Sequence, residues 1–146
     1  MDKSWLAYLE DACILCVDEQ SETHAHLFFD CRYSCQCLAV VRAHVRFPWP
    51  NHEWETDIAW AAHKRRGRHV IYATYRALLA ALVYHLWQER NRRKFQQIKR
   101  TADSLASLVV EEIRQRILSA DLTCKFSTIA LFRLWRIPWH THFDAY

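Results

Sequence analysis

The chain has very few of the residues that mark turns. One glycine and three prolines occur among 146 residues, whereas sandwiches and barrels need frequent glycine- and proline-rich turns between short strands. This scarcity argues against an all-β architecture and favours helices. No apolar run approaches the ~18 residues that a membrane span requires, and no secretory apolar segment follows Met1. We therefore expect an intracellular protein, in the nucleus or the cytoplasm, that does not use a membrane.

The sequence also lacks the patterns of common active sites. It has no glycine-rich phosphate loop, no serine-histidine-aspartate spacing and no pair of acids on one predicted helix face. Five of its nine histidines are scattered over predicted helix ends and the C-terminal tail: His63, His69, His85, His140 and His142. Isolated histidines of this kind are typical of surfaces and helix ends. We expect no enzymatic activity.

Hydrophobic residues make up 51% of the chain and aromatic residues 14%. A chain of this length is about one domain and can bury a substantial core. Apolar residues at helical spacing predict a short helix around Trp5–Leu9 and further helices over 32–45, 53–66, 71–98 and 129–137, with another that begins at a cap on Asp103 or Ser104. In the longest helix, the charged half 88–100 is expected to reach solvent.

Four cysteine and histidine residues near the N-terminus have the spacing of a structural zinc site. Cys13 and Cys16 can grip one metal from a tight turn, and His26 with Cys31 can close the tetrahedron from the start of the next helix. A closed Cys3His shell leaves no position for a bound water, so the zinc would stabilise the fold instead of performing hydrolysis. His26 is preferred because residues 27–29 would pack behind the site.

The spacing leaves alternatives open. His24 is a rival to His26, and Cys35 and Cys37 are rivals for the fourth ligand position. Cysteine is among the most buried residue types, so the cysteines between 13 and 37 could also be packing thiols. In a reducing compartment they are better explained as ligands or buried thiols than as disulfides. Cys124 stands apart from the others and is predicted to be a buried thiol.

Together these features predict a mainly α protein, a small helical domain with an N-terminal Cys3His zinc knuckle. Residues 1–46 would form the zinc-knuckle region with its flanking helices. Residues 47–146 would form a helical region packed with it as one domain, after a hinge at the proline pair of residues 48 and 50.

Positive charge is concentrated in the middle of the chain. Residues 64–100 contain 11 basic residues and one acidic residue, a local excess that can hold phosphate or an acidic protein surface. The candidate nucleic-acid contacts are Lys64, Arg65, Arg66, Arg68, Arg90, Arg92, Arg93 and Lys94. The high aromatic content leaves a second partner class open, in which a helical surface binds or blocks another protein or self-associates.

Three parts of the chain share a pattern with one known family. They are Cys13-x2-Cys16 with Glu22-Thr23-x2-His26-Leu27-Phe28-x2-Cys31, then Trp87-x-Glu89-Arg90-Asn91-x-Arg93-x-Phe95, and a tail with Ile113–Ser119 and Leu134–Pro138. This pattern closely resembles the zinc-binding segment at the C-terminal end of plant LINE-type (non-LTR) retrotransposon reverse transcriptases. The resemblance covers nearly the whole chain.

The resemblance implies a metal ligand, a partner and an origin for the chain. It implies that His26, not His24, is the ligand beside the three cysteines, and that RNA is preferred over DNA as a nucleic-acid partner. The Tyr-x-Asp-Asp turn of the polymerase is missing, and Cys35 and Cys37 stand where the family usually has apolar residues. We therefore expect a stand-alone terminal fragment without the polymerase, retained by its host or its element for another use.

Overall fold

A computed structural model describes residues 11–46, 56, 59, 70–120 and 126–137. Within these ranges the named elements are a π-helical turn, His26–Asp30, and four α-helices: α1 (Arg32–His44), α2 (Val70–Gln96), α3 (Ala102–Ser119) and α4 (Phe126–Leu134). No strand is found in the described ranges, where the one β-type pairing is an isolated antiparallel bridge between Ala12 and Ser21. The predicted mainly α fold is confirmed.

α1 forms where the sequence predicts it. Among its buried residues, Tyr33, Cys37 and Val41 recur every four positions and Leu38 lies three positions before Val41, so all four share one side of the helix. The helix ends when Val45 takes an extended conformation. The backbone N–H of the next residue, Arg46, donates to the carbonyl of Leu134 at 2.8 Å, which joins the end of α1 to the end of α4.

α2 is the long predicted helix, with 27 residues. It ends two residues before Ile98, and Gln97 follows it in the left-handed region with a φ of 56°. Its leucines Leu78, Leu82 and Leu86 are almost fully buried. The helix is also long and apolar enough to cross a membrane by length and composition, a property that core helices of soluble proteins share.

Two predicted boundaries near the C-terminus are wrong. The N-cap of α3 is Thr101, whose Oγ1 accepts from the backbone N–H of Ser104 at 3.2 Å, so Asp103 and Ser104 lie inside the first turn. Threonine is preferred here because its hydroxyl satisfies an N–H that has no partner in the helix. α4 begins earlier than the predicted element and ends before Arg136, which has a φ of 54°.

The helices and the cysteine-rich segment share one cluster of buried residues. α1 packs against α3, and α2 packs against α3 and α4. Leu15 and Leu27 from the cysteine-rich segment join the same cluster as Val109 and Phe132 from α3 and α4. Residues from both predicted regions therefore contribute to one core. The predicted helices at Trp5–Leu9 and 53–66 and the predicted hinge lie outside the described residues, apart from Thr56 and Ala59.

Candidate metal centre

Four side chains converge at the N-terminal end of the described structure. The ligand atoms of Cys13, Cys16, His26 and Cys31 all lie within 4.8 Å of one another. The Sγ atoms of Cys13 and Cys31 are 3.9 Å apart, and the Sγ of Cys16 is 3.2 Å from Nε2 of His26. Tetrahedral zinc with Zn–S bonds of about 2.3 Å separates its ligand atoms by roughly 3.5 to 3.8 Å. The arrangement can therefore hold one metal ion.

The first two ligands lie on a short loop closed by backbone hydrogen bonds. The N–H of Cys13 donates to the carbonyl of Gln20 at 2.8 Å, and the N–H of Glu22 donates to that of Asp11 at 2.6 Å. Between them the chain reverses through Glu19, which has a φ of 50°. Cys13 and Cys16 are both buried on this loop, residues 11–22, which we call the cysteine loop.

The π-helical turn brings His26 and Cys31 together. The N–H of Cys31 donates to the carbonyl of His26 at 2.7 Å, a spacing of five residues in place of the four of an α-helix. Residues five apart on an α-helix point about 140° away from each other, whereas the wider turn aligns them. The Oγ1 of Thr23 accepts from the N–H of His26 at 3.0 Å and fixes the start of the turn.

Apolar packing supports the turn from behind, as the sequence predicts. Leu27 is buried, and Phe28 and Phe29 are partly buried against the core. The hydroxyl of Ser34, in the first turn of α1, donates to the carbonyl of Leu27 at 2.5 Å. The π-helical turn and α1 are therefore joined by a buried hydrogen bond as well as by sequence.

The two thiols at the centre of the cluster differ in acidity. The thiol of Cys13 donates a hydrogen bond to Cys31, and this bond, with burial as a second cause, raises the pKa of Cys13. The same hydrogen bond lowers the pKa of Cys31. Cys31 is therefore the thiol that reaches the anionic form first. A divalent cation that binds the pair would displace the proton of Cys13 as well.

The rival ligands lie elsewhere. His24 is exposed, and its ring stacks on that of Phe28 with centroids 6.5 Å apart. The exposed thiol of Cys35 donates to the carbonyl of Phe29 at 3.2 Å. Cys37 is fully buried, and burial raises its pKa to about 12, as expected of a packing thiol. None of the three belongs to the cluster, and Cys124 lies outside the described residues.

A buried ion pair in the second half of α2 is in contact with the cysteine loop. Glu89 is 1% exposed and Arg93 is 9% exposed, so the expectation that 88–100 reaches solvent is wrong for both. Nε of Arg93 donates to Oε1 of Glu89 at 2.9 Å. Nη1 of Arg93 donates to the carbonyl of Leu15 at 3.1 Å. Since Leu15 lies between Cys13 and Cys16, this hydrogen bond fixes the turn that carries two ligands.

The same ion pair also contacts α1 and the segment before α3. The guanidinium of Arg93 lies over the ring of Tyr33, 4.3 Å from its centroid. The hydroxyl of Tyr33 and Nη2 of Arg93 both donate to the carbonyl of Arg100, each at 3.0 Å. The N–H of Arg100 donates to Oε1 of Glu89 at 2.7 Å. Two helices, the segment before α3 and the cysteine loop therefore meet at one buried pair of charges.

The predicted nucleic-acid contacts have different environments. Arg93 is buried in this network, and Arg90 pairs with Glu22, with 2.6 Å between Nη2 and Oε1. The side chain of Arg92 is a quarter exposed, and its Nη1 lies 3.6 Å from Oε2 of Glu89. Lys94 is exposed. The remaining four residues lie outside the described ranges: Lys64, Arg65, Arg66 and Arg68.

Sequence reasoning missed the structural role of the Glu89–Arg93 pair. The signal for it was the spacing of four residues between opposite charges, which places them on the same side of a helix. Comparisons of the chain with models of known protein families, with curated proteins and with solved structures find no match. The resemblance to plant LINE-type reverse transcriptases therefore stays a prediction from the motifs.

Proposed function

We propose that the chain is a non-catalytic module that folds around one structural zinc ion and binds RNA or DNA. The observation that carries the metal part of this proposal is the convergence of Cys13, Cys16, His26 and Cys31, whose ligand atoms lie within 4.8 Å of one another. Three thiols and one imidazole are the donor set that structural zinc prefers. We also propose, from the motifs alone, descent from a plant retrotransposon reverse transcriptase.

A structural role follows from the number of ligands. Four protein ligands complete the tetrahedral coordination of zinc, whereas catalytic zinc sites keep one position for water or substrate. The zinc would therefore stabilise the cysteine loop and the π-helical turn. Its binding would release protons from the thiols and would depend on pH.

Metal content of the purified protein tests this part directly. We expect one zinc per chain in elemental analysis, and loss of stoichiometric zinc in the variants Cys31→Ser and His26→Gln. The matched controls are Cys35→Ser and His24→Gln, which change the same residue types outside the cluster and should retain the metal. Wild-type protein without stoichiometric zinc, or controls that lose it equally, would contradict the proposal.

The proposed nucleic-acid partner rests on the basic middle of the chain and on the resemblance. Arg92 and Lys94 are at least partly exposed in the described part of that segment. RNA is favoured over DNA, and the module would act in the nucleus or the cytoplasm. For a single strand, each neutralised phosphate should steepen the plot of log K against log salt by about 0.7. Affinity for oligonucleotides that does not change with salt would contradict this partner.

A second candidate is a module that binds or blocks a protein partner. It is favoured by large apolar side chains that α2 leaves exposed, among them Tyr84, Trp87 and Phe95. Affinity purification from native tissue with and without nuclease separates the two candidates. A stoichiometric protein partner that survives nuclease and high salt would favour this second function, and a self-associating chain would be detected by sedimentation.

A further inference from the structure

One face of α2 presents aromatic rings to solvent. Tyr84, Trp87 and Phe95 are 58%, 42% and 74% exposed. With about 100° between successive residues of an α-helix, Phe95 lies about 20° from Tyr84 around the axis, and Trp87 about 60° from it. The three rings therefore share one side of the helix, over roughly 16 Å of its length. We call this side the aromatic face.

The aromatic face lies opposite the side of α2 that packs into the protein. Leu82, Leu86, Glu89 and Arg93 are buried, and all four lie about 140° to 200° around the axis from Tyr84. The protein core therefore covers that side of α2. The rings of the aromatic face consequently have large areas that the packing of the described helices leaves uncovered.

The exposed charges that residues 84–100 themselves carry are positive. Residues 84–100 contain six basic residues and a single acid, Glu89, and that acid is buried in its pair with Arg93. Lys94 is exposed and Arg92 is a quarter exposed, and the guanidinium of Arg90 lies 5.3 Å from the centroid of the Trp87 ring. Near Tyr84 the carboxylate of Glu112 on α3 is paired with His85 and Arg116. Exposed rings flanked by cations are suited to an anionic partner that has flat aromatic groups.

We propose that the aromatic face stacks the bases of a single-stranded nucleic acid while Arg92 and Lys94, which flank the rings, contact its phosphates. Single strands are bound by aromatic side chains in a positive groove with little dependence on sequence. The bases of a duplex are covered by their neighbours and cannot stack in this way. This inference rests on the proposed nucleic-acid function, and it specifies which chemical form of the partner is bound and where.

A groove between Arg90 and the cysteine loop is less suited to the strand. It has a volume of about 800 Å³ between the cysteine loop and α2, and it carries the carboxylates of Asp11 and Glu22 as well as Arg90 and Lys94. These negative groups would repel phosphate. The strand is therefore expected over the rings, which Arg92 and Lys94 flank about 80° to either side of Tyr84 around the helix axis.

Fluorescence anisotropy with the zinc-loaded full chain tests the inference. The probes are labelled oligouridine, labelled oligothymidine and a duplex of the same length. We expect both single strands to bind more tightly than the duplex. Trp87→Ala and Phe95→Ala should each raise Kd for the single strands about fivefold or more, as alanine substitution does at stacked bases. Zinc content and helical circular dichroism should not change, because both side chains are exposed.

Two controls separate stacking from general apolar contact. Ile98→Ala removes an exposed aliphatic group just beyond α2 and should leave Kd unchanged. Phe95→Tyr keeps an aromatic ring and should bind like the wild type, whereas Phe95→Leu keeps apolar bulk and should be as weak as Phe95→Ala.

Three outcomes would overturn the inference. If Trp87→Ala and Phe95→Ala bind like the wild type while salt still weakens binding, stacking on this face is wrong and the proposed function stands. If the wild type binds neither single strand, the proposed nucleic-acid function fails together with the inference. If the substitutions change only self-association in sedimentation, the face is an interface between copies of the chain.

Discussion

At the scale of single residues, Glu89 and Arg93 bring opposite charges into the core. Removal from water costs each ion several kcal/mol, and their attraction offsets this cost only when further hydrogen bonds complete the site. Glu89 accepts from Arg93 and from the N–H of Arg100, and Arg93 donates to the carbonyls of Leu15 and Arg100. These hydrogen bonds offset part of the cost of burial, and Oε2 of Glu89, which accepts none, lies 3.6 Å from Nη1 of Arg92.

Glu89→Gln should destabilise the protein strongly. The amide keeps the shape of the side chain but leaves Arg93 as a buried charge without its counterion, and breaking a buried pair in this way costs about 3–5 kcal/mol. The measurement is the free energy of unfolding in urea at saturating zinc. Glu111→Gln on α3 is the matched control, because the side chain of Glu111 is 56% exposed and should change stability by about 0.5 kcal/mol or less. Equal losses in the two variants would contradict the role given to the buried pair.

Glu112 on α3 gives a second prediction, which concerns pH. A hydrogen bond with His85, 2.6 Å between Nε2 and Oε2, is the main reason that the pKa of Glu112 lies below its ordinary value of about 4.5. A lowered pKa in the folded state stabilises the fold above the unfolded pKa, and this contribution is lost as the pH falls through the folded pKa. The stability advantage of wild type over Glu112→Gln should therefore be present at neutral pH and shrink below about pH 4.5.

Urea unfolding of both proteins over this pH range measures that difference. Acid also releases metal from thiolates, but the loss is common to both proteins and cancels in the comparison. Since the side chain of Glu112 is 32% exposed, solvent screening keeps the effect small. A difference between the two proteins that does not depend on pH would refute the assignment.

At the scale of the helices, the periodicity of apolar residues predicted the positions of the helices that bury one apolar side. α1 and α2 lie where three- and four-residue spacing placed them, because burial of one apolar side is what stabilises such a helix. The same pattern could not reveal that Arg93 is buried, since a charged residue is read as solvent-facing until its partners are known. Those partners lie at Leu15 and Tyr33, too far along the sequence for periodicity to show.

The metal cluster was predictable for a different reason. Two cysteines three apart can contact one ion only from a tight turn, so their spacing already restricts the geometry. The π-helical turn that selects His26 over His24 could not be foreseen, because it depends on the five-residue hydrogen bond to Cys31 and on packing of Leu27. Thr101 was missed as a cap because Asp103 and Ser104 are equally good capping residues in sequence.

Arg93→Lys tests whether α2 supports the metal centre. Lysine keeps the positive charge beside Glu89, but a single ammonium cannot reproduce the forked guanidinium that contacts Glu89, Leu15 and Arg100 at once. The turn between Cys13 and Cys16 would lose its hydrogen bond at Leu15. We expect the dissociation constant for zinc to rise about tenfold, the lower end of the effect of removing outer-shell partners.

Competition with a chromophoric chelator measures the zinc affinity of this variant. Arg116→Lys is the matched control, because Arg116 also pairs with a glutamate four residues earlier but its side chain is 67% exposed. Its zinc affinity should equal that of the wild type. If both variants bind zinc equally well, the contact from α2 to the cysteine loop has no influence on the site.

At the scale of the whole molecule, the metal and the helical core stabilise different parts of one cooperative structure. Leu82, Val109 and Phe132 are buried among the helices, and burial of such side chains supplies the main driving force for folding. The cysteine loop has few buried apolar side chains of its own and relies on its ligands and on Arg93. Zinc should therefore raise the stability of the whole while the helices can form without it.

Removal of zinc tests this division. At free zinc about 100-fold above its dissociation constant, binding stabilises the folded state by about 2.7 kcal/mol, which corresponds to a rise in Tm of roughly 5–10 °C for a domain of this size. A chelator should lower Tm by that amount and leave most of the helical circular dichroism, and added zinc should restore Tm. Cys31→Ser should resemble the chelated wild type, and Cys35→Ser the zinc-loaded one. Complete loss of helicity on chelation would show that the helical core cannot form without the metal, and an unchanged Tm would show that the four side chains do not bind zinc in solution.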